Sequence, residues 1–190
     1  MKNNKTFEFI VLLLAVFITR LIDGVGTFHY TPNLSKELNP AVRMFGFGWR
    51  YLISIQLIAV IFSGAINYLS LFRIKPIEIQ KRNLDFKQFI SYLYFDKIVA
   101  WKWSFLFKKG LNGKNQELHM YGWLIPRILI YVGLVLAFFH ILLTFVPAYG
   151  QIHKYFIIPM YLLMFSSMPV CWYNYYKFRF KIYNQNQVST

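Results

Sequence analysis

An all-α membrane protein with four transmembrane helices is the fold class this sequence predicts, and three observations predict it. Four apolar stretches, Phe7–Ile22, Tyr51–Phe72, Ile125–Val146 and Tyr155–Tyr176, are each long enough as helix, at ~1.5 Å per residue, to approach or cover a ~30 Å hydrocarbon core. Nearly every charge lies between them. Apolar residues make up 57% of the 190 and aromatic residues 21%, more than a soluble domain of this size carries. Residues 1–190 therefore read as a single four-span membrane domain, a four-helix bundle. Residues 23–48 form an extracytoplasmic loop with a short helix, and residues 73–124 a cytoplasmic basic and aromatic segment at the membrane interface.

The first apolar stretch follows Lys2 and Lys5 and is short for a span, so its helix is expected to continue past Asp23 before reaching the far interface. Arg20–Asp23 stands where a signal peptidase would need small residues, so this is expected to be an uncleaved span. Arg20 and Asp23, three apart, share a helical face and can pair, which offsets part of the cost of placing charge in the outer leaflet. Asp23 and Thr27, four apart, also share a face. Downstream, Thr31-Pro32 and Asn39-Pro40 each put an N-cap residue directly before proline, which loses no hydrogen bond at the first helical position. They predict a short turn near Pro32–Leu38, and a helix from Pro40 leading into the second span. Glu37 lies ahead of that helix, whose positive dipole end faces it.

The second span carries Gln56, Ser63, Asn67 and Ser70 as one polar seam. The third carries Gly133, Ala137, His140 and Thr144 as a small-residue ridge containing one imidazole. These two faces are expected to meet, because small residues let helices approach and polar ones bond across. Between the spans, Asp85 and Asp96 are N-cap candidates for helices over Phe86–Phe95 and Lys97–Lys109, with Ile98–Phe107 as an alternative strand pair. Interleaved aromatic and lysine side chains there suit helices lying on the inner surface. In the fourth span, Pro159 and Pro169 are expected to kink the helix. The lone Cys171 reads as a packing residue, since one cysteine forms neither an internal disulfide nor a thiolate metal cluster.

Charge sets the orientation. Arg73 to Arg127 holds eleven Lys and Arg, against Lys154 alone in the Gly150–Lys154 link, so the central segment and both termini are expected in the cytoplasm. Lys36, Arg43 and Arg50 in the outer loop weaken that asymmetry without reversing it. The net charge of +14 is then accounted for by the inner ends of the spans and by attraction to anionic headgroups, so nucleic acid is not an expected partner.

Depth brings polar residues together. Gln56 and His140 each lie about seven residues, roughly 10 Å, below the outer interface, and Asp23 lies near that level. Asp23, Gln56 and His140 are thus expected to converge under a lid containing His29 and Glu37, with His153 on the other outer loop. Intramembrane ionisable residues point to function by default. No His-Glu-x-x-His, Gly-x-Ser-x-Gly or paired-carboxylate motif accompanies them, so neither a cofactor nor a metal is expected.

The pattern Asp23-x3-Thr27, followed by Glu37-x-Asn39-Pro40, resembles the signature of an uncharacterised family of small prokaryotic multi-pass membrane proteins. The resemblance implies that these five positions act as one unit, and it brings no assigned reaction. A prokaryotic inner-membrane location follows from it. The expected function is a noncatalytic accessory or scaffold protein. It would bind membrane lipid, a protein partner or a second copy of itself through the outer loop and the inner amphipathic segment. The alternative is a membrane-embedded enzyme or ion-binding protein with an outer-leaflet site built from Asp23, Glu37, His29 and His140; Thr27, Asn39 and Gln56 complete the candidate cluster.

Overall fold

A computed structural model of the chain describes residues 5–34, 40–75, 79–99 and 113–188. Among these the regular structure is helical: α1 (Lys5–Tyr30), α2 (Pro40–Phe45), α3 (Trp49–Tyr68, continued by a π-helical turn over Leu69–Arg73), α4 (Phe86–Phe95), α5 (Lys114–Phe145) and α6 (Pro147–Val188). Four of them, α1, α3, α5 and α6, are long and apolar enough to cross a membrane. They overlap the four predicted stretches, and α1 does continue past Asp23.

The burial pattern of α1 identifies its solvent. Its buried residues are Val16, Thr19, Arg20 and Asp23, three of them polar, whereas Phe7, Ile10, Leu14, Phe17, Ile18, Leu21 and Phe28 are exposed. A helix in water hides its apolar stripe and wets its polar one. Here the order is reversed, as it must be where the surroundings are hydrocarbon and a charge is stable only among protein groups.

Contacts divide the chain into two compact units, Met1–Ala65 with Ile125–Met168, and Ile66–Leu124 with Pro169–Thr190. In the first, α1 lies close against α5 because glycines remove side chains from the crossing. A Cβ on Gly133 would stand 2.5 Å from Thr19 Cβ and 2.6 Å from Arg20 Nη2, and one on Gly26 would stand 2.6 Å from His140 Cγ. The ridge on α5 therefore meets α1 rather than the polar seam of α3, contrary to the sequence expectation. The physical reason is that α1 carries the buried charges, so the helix with a gap and an imidazole is the one that accommodates them. Phe139, Tyr149 and Met160 form an apolar core nearby. Val146 alone separates α5 from α6, so the expected outer loop at Gly150–Lys154 is the first turns of α6 instead.

The segment after α1 also departs from expectation at two points. Thr31 closes α1, its N–H donating to the Thr27 carbonyl at 2.8 Å, and a turn follows to Leu34; residues 35–39 lie outside the described residues. The helix from Pro40 ends at Phe45 and does not run into α3. Gly46, at φ 67°, ends it in a left-handed conformation that glycine adopts without strain.

In the second unit the α3 seam finds α5 at another place. Asn67 Nδ2 donates to the Gly122 carbonyl at 2.9 Å and Ser70 Oγ to the His119 carbonyl at 3.1 Å. The Asp85 cap holds as expected: its carboxylate accepts the Gln88 N–H at 2.7 Å, while Gln88 Oε1 accepts the Asp85 N–H at 3.1 Å, a complete capping box. Asp96 is different. At φ 54° it ends α4 as a left-handed C-cap, a conformation its short polar side chain tolerates, and so starts no helix. Residues 100–112, which contain most of the expected Lys97–Lys109 helix and its strand alternative, lie outside the described residues.

The buried face of α4, Phe89, Ile90, Leu93 and Tyr94, is covered by the last turns of α6. Phe89 packs its ring on Phe180 and Tyr183, and the Tyr94 and Tyr176 hydroxyls share a hydrogen bond. Burial raises the Tyr94 phenol above its ordinary pKa, which keeps it an O–H. Pro159 and Pro169 lie inside α6, which is helical from end to end, so neither interrupts it. Ser166 and Ser167 beside Pro169 donate back to the Leu163 and Met164 carbonyls, both at 2.6 Å. Cys171 is buried, as a packing residue should be.

Candidate functional site

The first unit carries a half-open cavity of about 790 Å³. One wall is α1 from Phe17 to Tyr30, another is α3 from Trp49 to Val60, and α5 and α6 supply Phe139, His140, His153 and Met160. Apolar side chains dominate the lining. Into it project a few polar groups, which is the usual make-up of a site for a small or amphiphilic molecule.

The polar groups gather around Asp23. Gln56 Nε2 donates to Asp23 Oδ2 at 3.0 Å, His140 Nε2 stands 3.4 Å from Oδ1, and Arg20 Nη1 stands 3.9 Å from Oδ2. Arg20 is held from the other side as well, with Nη2 donating to the Leu129 carbonyl at 3.2 Å. The side chains of Arg20 and Asp23 are only 9% and 12% exposed, so the charges neutralise each other where water does little. Among the described residues, Arg20 Nε and His140 Nδ1 are buried with no hydrogen-bond partner. The cluster is therefore polar beyond what its own members satisfy.

Asp23, Gln56 and His140, on three different helices, thus meet at a common depth. Thr27 lines the same cavity one turn beyond Asp23. His29 is exposed and not part of the lining, and Glu37 and Asn39 lie outside the described residues. Of the five positions that carry the family resemblance, Asp23 and Thr27 reach the cavity and Pro40 begins α2.

His153 lines the cavity too, from within α6. It is buried, and its Nδ1 lies 3.0 Å from the Tyr149 hydroxyl. In sequence it falls on the expected Gly150–Lys154 link between the third and fourth spans; the signal that finds it in a helix is the fitness of Pro147 for a first helical turn. Arg20 was foreseen as a partner of Asp23, but its bond to a carbonyl of α5 was not.

Two kinds of chemistry suit this arrangement. The cluster can hold a polar headgroup while the remaining lining takes an apolar chain. Alternatively, a carboxylate beside an imidazole can orient it for proton transfer. Among the described residues no three His, Cys, Asp or Glu side chains are grouped so as to hold a metal. Comparison with known proteins leaves the geometry to speak for itself: no family model matches the chain, and neither does any curated protein or solved structure.

Proposed function

We propose that this chain is a lipid-binding protein of accessory type in a prokaryotic inner membrane. Its cavity holds an amphiphile, with the headgroup at Asp23, His140, Gln56 and Arg20 and the apolar chain along Leu52, Leu57, Phe139 and Met160. The observation that carries this is a polar cluster set into an otherwise apolar cavity, on helices whose outward faces are themselves apolar. Of the two accessory roles expected from the sequence, lipid binding gains support from the cavity. A protein partner or second copy would engage the outer loop and inner segment, large parts of which lie outside the described residues.

Gly24 gives a clean test. It lines the cavity, and nothing lies within 4 Å of where its Cβ would be, so Gly24→Leu starts its side chain in open space and improves helix propensity. The variant is expected to accumulate and melt like the wild type, yet to retain at least tenfold less co-purified lipid in native mass spectrometry. Unchanged lipid retention in a folded Gly24→Leu protein would refute the reading.

A second reading, acid–base chemistry on the headgroup, is favoured by the 3.4 Å approach of His140 Nε2 to Asp23 Oδ1. In that case His140→Gln leaves lipid retention largely intact, while chemically altered lipid no longer accumulates.

The orientation proposed from the lysine and arginine bias puts both termini and the Arg73–Arg127 segment in the cytoplasm. Because Cys171 is the lone cysteine, a Cys171→Ser background allows mapping by single cysteines. His29→Cys, at an exposed position, is expected to react with a membrane-impermeant maleimide on intact cells, and Lys87→Cys only after lysis. The opposite labelling pattern would invert the topology.

A further inference from the structure

The second unit carries a groove of about 870 Å³ on α6, lined by Phe86, Tyr173, Lys177, Phe180, Lys181, Asn184 and Gln185. Six of these seven fall on one stripe of the helix, at spacings of three and four residues. Phe86, the first residue of α4, sets its ring edge-on to both Tyr173 and Phe180, at 6.0 and 5.4 Å between centroids. The floor is thus aromatic, and the rim is two ammonium groups and two carboxamides. Lys177 Nζ sits 4.7 Å from the centre of the Tyr173 ring, which turns its charge toward the groove's membrane-proximal end.

Charge complementarity names the occupant. The lining contains two cations and no anion, although the chain has seven carboxylates. The carboxylate next in sequence to the lining, Asp85, is engaged by the Gln88 N–H. Position supports the same occupant. With 42 residues, ~63 Å of helix, α6 has turns to spare beyond a ~30 Å hydrocarbon core, and the groove begins at the half-exposed Tyr173, a residue type that favours the headgroup layer.

We propose that this groove binds the headgroup of an anionic phospholipid, with the phosphate between Lys177 and Lys181 and the adjoining apolar part of the lipid on Tyr173, Phe86 and Phe180. The site is independent of the cavity in the first unit and survives if that cavity holds nothing. Lysine attracted only by the general surface potential would show no preference among lysines of equal exposure. A built groove does.

The test uses the full chain in detergent, with phosphatidylglycerol or phosphatidylcholine added and retention read by native mass spectrometry. Wild-type protein is expected to retain phosphatidylglycerol at least tenfold better than phosphatidylcholine. K177Q/K181Q is expected to reduce that retention about tenfold or more, because the phosphate loses both of its charge-assisted donors. The control K75Q/K87Q removes the same charge from exposed positions outside the groove and should change retention less than threefold. Equal losses in both double variants, no headgroup preference, displacement of the lipid by inorganic phosphate, or capture of an acidic peptide in preference to phosphatidylglycerol would each overturn the proposal. All four lysines are exposed, so folding is not at stake, and Gly24→Leu should leave this retention unchanged.

Discussion

Gly122→Ala is expected to destabilise the protein by about 3 kcal/mol and to lower its accumulation several-fold, although alanine is the better helix former. At this crossing α3 and α5 approach so closely that the added methyl carbon would stand 2.2 Å from Ser70 Cβ and 2.5 Å from the Ile66 carbonyl oxygen. Neither is the far end of a flexible side chain, so the backbones must separate. Separation would also stretch the bonds from Asn67 to the Gly122 carbonyl and from Ser70 to the His119 carbonyl, each worth roughly 0.5–2 kcal/mol between helices in a bilayer. Two costs therefore add. Ser70→Gly in the Gly122→Ala background should recover part of the loss, because it removes the nearest carbon but leaves the Ile66 carbonyl in place. Thermal or SDS titration of the single and double variants measures this; an unaltered melting curve for Gly122→Ala would mean that the helices do not touch there.

That crossing also shows where sequence reasoning stops. The spans were legible, since hydrocarbon thickness dictates a length and the chain meets it four times. So was the meeting of Asp23, Gln56 and His140, because a rise of ~1.5 Å per residue converts sequence position to depth in each helix. The Asp85 cap was legible because its partner, Gln88, lies three residues away. What position along an axis does not give is rotation about it. The ridge of Gly133 and His140 and the seam of Gln56 and Asn67 were both visible, but which helix each would face depends on where buried charge needs partners. Arg20 and Asp23 drew the ridge to α1, and Gln56 of the seam turned the same way, while Asn67 and Ser70 went to α5 near Gly122. The cavity was illegible for the same reason, as it exists only once four rotations are fixed. The extension of α6 past Tyr176 was hidden because its hydrophobicity falls there, yet Tyr175, Tyr176, Arg179 and Tyr183 are buried at helical spacing. Tyr176 and Tyr183 pack on α4 and Tyr175 on His119 and Trp123 of α5, and those contacts, not lipid, keep the helix going.

Asp23→Leu should be the most damaging single change in the first unit, at about 3–5 kcal/mol, because it removes one member of a buried pair and strands the other. Arg20 is 8% exposed and its Nε has no partner among the described residues. Without the carboxylate its charge rests on the Leu129 carbonyl alone, and Gln56 and His140 lose the acceptor they converge on. The compensating variant is Arg20→Met with Asp23→Leu. With both charges gone the core is apolar on this face, so a substantial part of the stability should return, about 2 kcal/mol or more, as a coupling in the double-mutant cycle. Structure and binding then separate cleanly. The double variant is expected to fold and yet retain little lipid in the cavity, since the headgroup has lost its site. Asp23→Asn keeps an acceptor for Gln56 but still leaves the Arg20 charge uncompensated, so it should fall between Asp23→Leu and wild type in stability, and between the double variant and wild type in lipid retention. If the double variant bound lipid like the wild type, the cluster would be only a way of burying charge, and the cavity's selectivity would have to come from its shape.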